Sequence, residues 1–343
     1  MVTVSLCMIV KDEEAVLERC LAGFAPVADE IVVVDTGSSD RTKEIAALYT
    51  DKIYDFAWVD DFSAARNFAF SKCSGDYIYS ADADEVLTEE NREKFLTLKE
   101  ALLPEIEIVQ MKYINRHDFK TTENFETDLR PKLYKRQRNF TWIDPVHETV
   151  RLDPLVFDSD VEIIHEPVSA HQGRDFKIFR KTYEKGEKLS GKLLHMYASE
   201  LLIAGDKDDL FAAVPCFTEA FYSKAADASG RAEYAAVLAR AYRLKGDIPE
   251  FFKWVLKNIS MSPCSEICFE TGNYYYERGD LEEAAVWFVN AAEETEPVLK
   301  ASVKSEAYEM LSHVYEKTAG LHPEIKDEAL EMAVQYKVKS RNI

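Results

Sequence analysis

Residues 76–86 read Asp76-Tyr77-Ile78-Tyr79-Ser80-Ala81-Asp82-Ala83-Asp84-Glu85-Val86, a strand-forming apolar run that ends in three carboxylates within four positions. A buried strand ends this way where its end faces water or a cation. Carboxylates at i and i+2 just past a strand can converge on a hard divalent ion, which takes oxygen ligands and often keeps waters or a diphosphate. Alone, Asp82-Ala83-Asp84 is more often a solvated acidic turn, because so short a match is a weak pattern. The surrounding chain decides between the two.

Upstream, Val2 to Val10 reads as a first strand. From Glu13 to Leu21, Val16, Leu17, Cys20 and Leu21 recur at helical spacing. The run Glu30-Ile31-Val32-Val33-Val34-Asp35 is continuous and β-branched, as in a parallel strand buried on both faces. It closes in Thr36-Gly37-Ser38-Ser39-Asp40-Arg41-Thr42, small polar residues that can cap a helix from Thr42. A short hydrophobic unit, Lys52 to Phe56, and a helix from Ser63 to Ser71 then lead into the 76–86 stretch. Strand and helix alternating at short intervals predict an open, mainly parallel α/β sheet. Ligands of such sheets sit at the carboxyl ends of strands where the strand order reverses. Three polar clusters fall at those ends: Lys11 to Glu14, Asp35 to Asp40, and Asp82 to Glu85. The glycine-rich dinucleotide fingerprint and the phosphate-binding Gly-x-x-x-x-Gly-Lys loop are both absent, which disfavours nicotinamide and flavin chemistry.

At 343 residues the chain has room for about two domains, and 47% apolar residues supply a sizeable core. Its 42 basic and 62 acidic residues leave a net charge of −20, which argues against nucleic acid as a partner. The six scattered cysteines fit buried thiols in a reducing compartment. The first strand lacks a basic segment before it and is followed at once by Lys11-Asp12-Glu13-Glu14, so it does not read as a signal peptide. No run is long and apolar enough for a membrane span. The expectation is a soluble, cytoplasmic protein.

Four blocks carry a family resemblance: Val10-Lys11-Asp12-Glu13-Glu14, Val34-Asp35-Thr36-Gly37-Ser38-Ser39-Asp40-Arg41-Thr42, Phe62-Ser63-Ala64-Ala65-Arg66-Asn67 and Asp82-Ala83-Asp84-Glu85. Each is modest alone. In this order and spacing they resemble the family 2 glycosyltransferases of the GT-A fold, over about residues 3–170. The resemblance implies a Rossmann-like, mainly parallel sheet and an inverting transfer of sugar from a nucleoside diphosphate donor, UDP-sugar favoured. It implies Val10, Glu13, Asp35, Arg66 and Asp82 at the donor nucleotide, and Asp82 and Asp84 as the metal-binding Asp-x-Asp for Mn2+ or Mg2+. Physically, a leaving diphosphate gathers negative charge, which a divalent ion stabilises. Arg66 is a second cation for that charge or the partner of Asp60 or Asp61.

The later blocks Arg130-Pro131-Lys132-Leu133-Tyr134-Lys135-Arg136 and Trp142-Ile143-Asp144-Pro145-Val146-His147-Glu148 resemble the same family. An inverting transfer needs a base for the acceptor proton; Glu148 is favoured over Asp144, its alternative role being to orient His147 or a basic neighbour. His165 and His147 are candidate further metal ligands, since imidazole suits manganese beside two carboxylates, and otherwise are packed residues. His171 is a weaker candidate. The basic run Arg130 to Arg138 either faces the diphosphate or forms a solvated hairpin.

From about Phe176 the texture turns to Ala, Leu, Glu, Lys and Tyr. The stretch from Asp175 to Leu194 reads as one helix linking the domains. Gly205-Asp206, Gly246-Asp247, Gly279-Asp280 and Gly320 then recur, and the sequence around Gly279 is similar to the tetratricopeptide repeat. The expected organisation is a GT-A catalytic domain (1–170), a linking helix (171–194) and an all-α repeat domain (195–343). Stacked helix pairs suit a polypeptide, so the acceptor expected is a protein or peptide, as in related enzymes that glycosylate bacteriocin precursors or surface proteins. The alternatives are a cell-envelope saccharide or lipid carrier as acceptor, repeats that only brace or homo-oligomerise the protein, and a non-catalytic scaffold with a degenerate domain.

Overall fold

The computed structural model describes residues 1–115, 127–150, 153–168 and 174–342. The chain divides into two compact units, Met1–Ile178 and Phe179–Ile343. The first is α/β and the second helical, so the fold class expected from the sequence is the one observed.

The first unit runs β1 (Val4–Val10), α1 (Leu17–Phe24), β2 (Glu30–Asp35), α2 (Thr42–Ala46), β3 (Ile53–Asp55), α3 (Phe62–Phe70), β4 (Tyr77–Ala81), β5 (Glu85–Val86), α4 (Glu89–Ala101), β6 (Ile108–Asn115), β7 (Thr127–Lys135), β8 (Trp142–Ile143), β9 (Thr149–Val150) and β10 (Val156–His165). Eight of these strands form one sheet in the order β3-β2-β1-β4-β7-β6-β10-β5. Neighbours from β3 to β4 are parallel, as are β6 and β10, while β7 and β5 run antiparallel to theirs. Alternate residues feed opposite cores: Leu6, Met8 and Val33 pack with Phe24 and Phe95, whereas Cys7, Val32 and Val34 pack with Phe70 and Trp142. The period of two explains why β1 and β2 are apolar throughout. The chain lays β2 and β3 on one side of β1 and then returns to place β4 on the other, so the order reverses between β1 and β4. Asp35 and Asp82 lie at this switch point. Helix α1 starts later than the spacing suggests. Asp12 adopts a left-handed backbone (φ 53°), and the Glu13 carbonyl closes a turn by accepting from the Val16 and Leu17 amides.

The second unit comprises α5 (Arg174–Glu184), which crosses the division, then α6 (Gly191–Ala204), α7 (Lys207–Tyr222), α8 (Ala228–Lys245), α9 (Ile248–Ile259), α10 (Ser265–Arg278), α11 (Leu281–Val289), α12 (Val303–Leu321) and α13 (Lys326–Arg341). The single linking helix expected over Asp175–Leu194 is in fact two. Gly186 turns left-handed (φ 81°) after α5, and Ser190 caps α6 by accepting from the Leu193 amide.

The recurring Gly-Asp dipeptides are helix-hairpin turns. Gly246 and Gly279 end α8 and α10 in the left-handed conformation that glycine adopts without a Cβ clash. Asp206, Asp247 and Asp280 then cap α7, α9 and α11, each accepting an amide three residues on. Gly320 instead lies within the last turn of α12, ahead of the turn into α13, and is not itself a left-handed helix stop. Pro249 sits in the first turn of α9, while Pro215 lies inside α7. Within the third hairpin, a Cβ at Gly272 would stand 2.7 Å from the ring of Phe288, itself fully buried. Gly272→Val is therefore expected to lower stability by at least about 1–3 kcal/mol, read as a fall in the denaturation midpoint. An unchanged midpoint would mean that the α10–α11 contact is not close-packed.

Candidate active site

Parallel pairing with β1 carries β4 to the rim of the sheet, and its end delivers Asp82, Asp84 and Glu85 to different partners. Asp82 is aimed at cations: Lys132 Nζ lies 3.3 Å from Oδ2 and Arg66 Nη2 3.6 Å from Oδ1. Burial opposes its ionisation, but the charges of Lys132 and then Arg66 outweigh it and hold the carboxyl well below the usual range. Glu85 is fully buried, accepts from Tyr79 Oη at 2.9 Å, and pairs with Lys132. Burial raises its carboxyl to about 7, opposed by Lys132 and reinforced by Asp82. Lys132 resists the opposite effect of burial because Asp82 and Glu85 keep its ammonium charged.

Asp84 faces the other way. The chain after it folds back as β5 and pairs antiparallel with the end of β10, setting Glu85 opposite His165. The Glu166 amide donates to the Asp84 carbonyl at 3.0 Å. This places His165 Nε2 3.1 Å from Asp84 Oδ2 and His165 Nδ1 3.0 Å from Asn115 Oδ1. When Nδ1 donates to Asn115, the Nε2 lone pair meets a carboxylate oxygen, and two acceptors at that distance call for a proton or a cation between them. The other oxygen, Asp84 Oδ1, is buried without a hydrogen-bond partner among the described residues. An imidazole nitrogen and two carboxylate oxygens, one of them unsatisfied, form a donor set that fits Mn2+.

Arg66, on α3, bridges the rim. Its Nε donates to Glu148 Oε1 at 2.5 Å, Nη1 donates to Ser80 Oγ, and the guanidinium lies 5.0 Å from the Trp142 ring centroid. Asn67 fixes Trp142 by bonding both its amide and its carbonyl. Asp60 and Asp61 are not its partners: Asp61 caps α3, and Asp60 accepts from Trp58. Asp35 Oδ1 accepts from the Gly37 and Ser38 amides, while Oδ2 is buried without a partner among the described residues. The Val10 carbonyl accepts from Thr36, and the Glu13 amide donates to Thr42 Oγ1, so both brace the rim through their backbones.

The structure thus joins Asp82 with Arg66 and Lys132, Arg66 with Glu148, and Asp84 with His165. His147 has a left-handed backbone (φ 51°), and one ring nitrogen lies within 4.8 Å of an Asp175 carboxylate oxygen, a spacing at which the two could share a metal ion. Asp144 shares that turn, also left-handed at φ 73°. His171 lies outside the described residues. The basic run splits. Lys132 is buried in the site, whereas Arg138 pairs with Glu107 and Arg136 donates to the Gly75 carbonyl. Lys132, Ser80 and Asn115 are the members sequence reasoning did not single out. Lys132 had one signal, a lone cation between Pro131 and Leu133 in the middle of a strand.

The rim of the sheet thus gathers acidic groups, paired cations and an acidic–imidazole pair. Residues 5–151 match the family model Glycosyl transferase family 2, and this part of the chain is a domain of that family. The chain joins it to a unit of tetratricopeptide-like helical hairpins. It is 53% identical over 87 residues to a TPR repeat-containing protein of Synechococcus elongatus, covering 25% of this chain and 22% of that one. It is 27% identical over 177 residues to an uncharacterized glycosyltransferase of Rickettsia bellii, covering 48% of this chain and 55% of that one. The chain thus spans about half or less of the length of these relatives. Among solved structures, glucosyl-3-phosphoglycerate synthase from Mycobacterium tuberculosis, in complex with Mn2+, UDP and glucosyl-3-phosphoglycerate, gives a TM-score of 0.42 at 15% identity over 55% of this chain and 82% of that one.

Removing one partner of a buried ion pair leaves the other uncompensated, at about 3–5 kcal/mol. Lys132→Met is expected to lose that much stability in denaturant titration, and Lys132→Met combined with Glu85→Met to regain most of it. A loss no larger than that of an exposed substitution would show that the pair does not hold the site together.

Proposed function

We propose that the protein is a metal-dependent, inverting glycosyltransferase that takes a sugar from a nucleoside diphosphate donor, UDP-sugar favoured. The observation that carries the reading is the unsatisfied Asp84 oxygen beside the Nε2 of His165, on the rim where Arg66 and Asp82 also converge. Asp84 and His165 would hold the ion, with Asn115 fixing the imidazole orientation. When bound, a divalent ion supplies positive charge against the diphosphate leaving group.

The protein's own groups divide the remaining tasks. The free oxygen of Asp35 is an acceptor for the ribose or base of the donor. Arg66 is always charged and pre-oriented by Glu148 and Ser80, so it can bind developing phosphate charge with little reorganisation. Glu148 and Asp144 are the candidate bases for the acceptor proton, and Arg66 fixes the position of the first. Stacked helix pairs favour a protein or peptide acceptor recruited by the second unit. The six free, buried cysteines accord with a reducing, cytoplasmic setting, and no helix among the described residues is long and apolar enough to cross a membrane.

The test is incubation with Mn2+ and a panel of radiolabelled nucleotide sugars, first alone and then with cell lysate. Donor binding and slow hydrolysis are expected, with Asp84→Asn reducing hydrolysis on the order of 10²-fold. With lysate, label is expected in protein rather than in the organic-extractable fraction. If no donor binds and Asp84→Asn changes nothing, the enzyme reading fails. Label confined to lipid would overturn only the acceptor.

A further inference from the structure

The candidate active site lies where β4 ends. A separate cavity of about 420 Å³ opens near where β4 begins, against the last turn of α3. Its floor is apolar. Ile78 of β4 faces Tyr134 of β7 in the antiparallel register, and the rings of Phe70 and Phe140 each pack edge-on with the Tyr134 ring at 5.7 Å. Small-molecule sites have this make-up, a concavity of roughly 300–1,000 Å³ with an apolar lining and a few placed polar groups.

Charge decides what such a cavity can take. Lys135 and Arg136 line it and, among the described residues, no carboxylate does, although acidic residues outnumber basic ones by 62 to 42 along the chain. Lys135 Nζ is already spent on the Pro104 carbonyl. Arg136 is not spent. Its amide donates to the Asp76 carbonyl and its Nε donates to the Gly75 carbonyl at 2.7 Å, which anchors the side chain at both ends. Its two terminal nitrogens meet no acceptor among the described residues. The Asp76 carboxylate is taken up by the amide and hydroxyl of Thr3 and is not part of the lining. A guanidinium anchored through Nε keeps a planar pair of N–H donors, the geometry that matches two oxygens of a carboxylate or phosphate. An aromatic floor beside it suits a flat ring.

We propose that this cavity is a binding site for a small organic anion, a ring bearing a carboxylate or phosphate group. Arg136 holds the charged group, and Tyr134, Phe70 and Phe140 contact the ring. The site is independent of the catalytic reading, since none of these residues is among those that meet at the rim.

Phenyl phosphate, benzamidine and inorganic phosphate are each titrated into the full chain by isothermal calorimetry, beside the variants Arg136→Met and Thr141→Trp. Thr141 is an exposed residue of the cavity lining, so a tryptophan there fills the mouth from the solvent side. Phenyl phosphate is expected to bind saturably. Benzamidine, a similar ring with the opposite charge, and inorganic phosphate, the charge without the ring, are each expected to bind at least about tenfold more weakly. Each substitution is expected to weaken phenyl phosphate about tenfold or more. Circular dichroism establishes that the variants are folded, and Thr141→Trp decides the matter should Arg136→Met unfold. Absence of saturable phenyl phosphate binding, equal binding of benzamidine or of inorganic phosphate, or binding that persists undiminished in a folded variant would each overturn the proposal.

Discussion

Asp82, Asp84 and Glu85 crowd the end of a single strand, and Arg66 and Lys132 make that crowding tolerable. Carboxylates this close raise one another's cost of ionisation, and burial raises it further. Lys132 enters from β7 between Asp82 and Glu85, and Arg66 enters from α3 between Asp82 and Glu148. Because the two cations absorb Asp82 and Glu85, Asp84 is left to face His165. The site is therefore sorted by charge: one carboxylate neutralised in the interior, one between two cations, and one with an oxygen still to be satisfied.

That sorting depends on strands far apart in sequence. Lys132 reaches Asp82 only because β7 runs antiparallel between β4 and β6, and His165 reaches Asp84 only because β10 runs parallel to β6 and then accepts β5 along its free side. The helical unit solves a simpler problem by local means. Left-handed glycines stop two of its helices, aspartate caps start the ones that follow, and the missing Cβ of Gly272 lets Phe288 approach.

These differences explain what could be read from the chain. The strands β1, β2 and β4 and the polar rim were legible because continuous β-branched runs and strand-end clusters are local signals. The hairpin turns were legible for the same reason. The break after α5 was missed because a helical texture persists through residues 185–190, while one glycine and one capping serine interrupt it. Within the site, Asp35, Arg66, Asp82 and Asp84 could be named in advance, but their pairings could not. That Arg66 would take Glu148 rather than Asp60 or Asp61 is decided by the β8–β9 turn returning beside α3. Lys132 was hidden in a run of five basic residues, and only the register of β7 separates it from the other four, which are half-buried or exposed.

The strand β5 has a second role by virtue of its place at the margin of the sheet. Hydrogen bonding there is otherwise open to any extended chain that drifts past, and such margins are where sheet proteins stick to one another. Its two residues cover the end of β10 at Ile164 and His165, while Asp158 and Asp160 and an irregular register guard the stretch before it. The loop that presents Asp84 is thus also a seal, and the same short fold-back that builds the chemistry helps keep the molecule from aggregating.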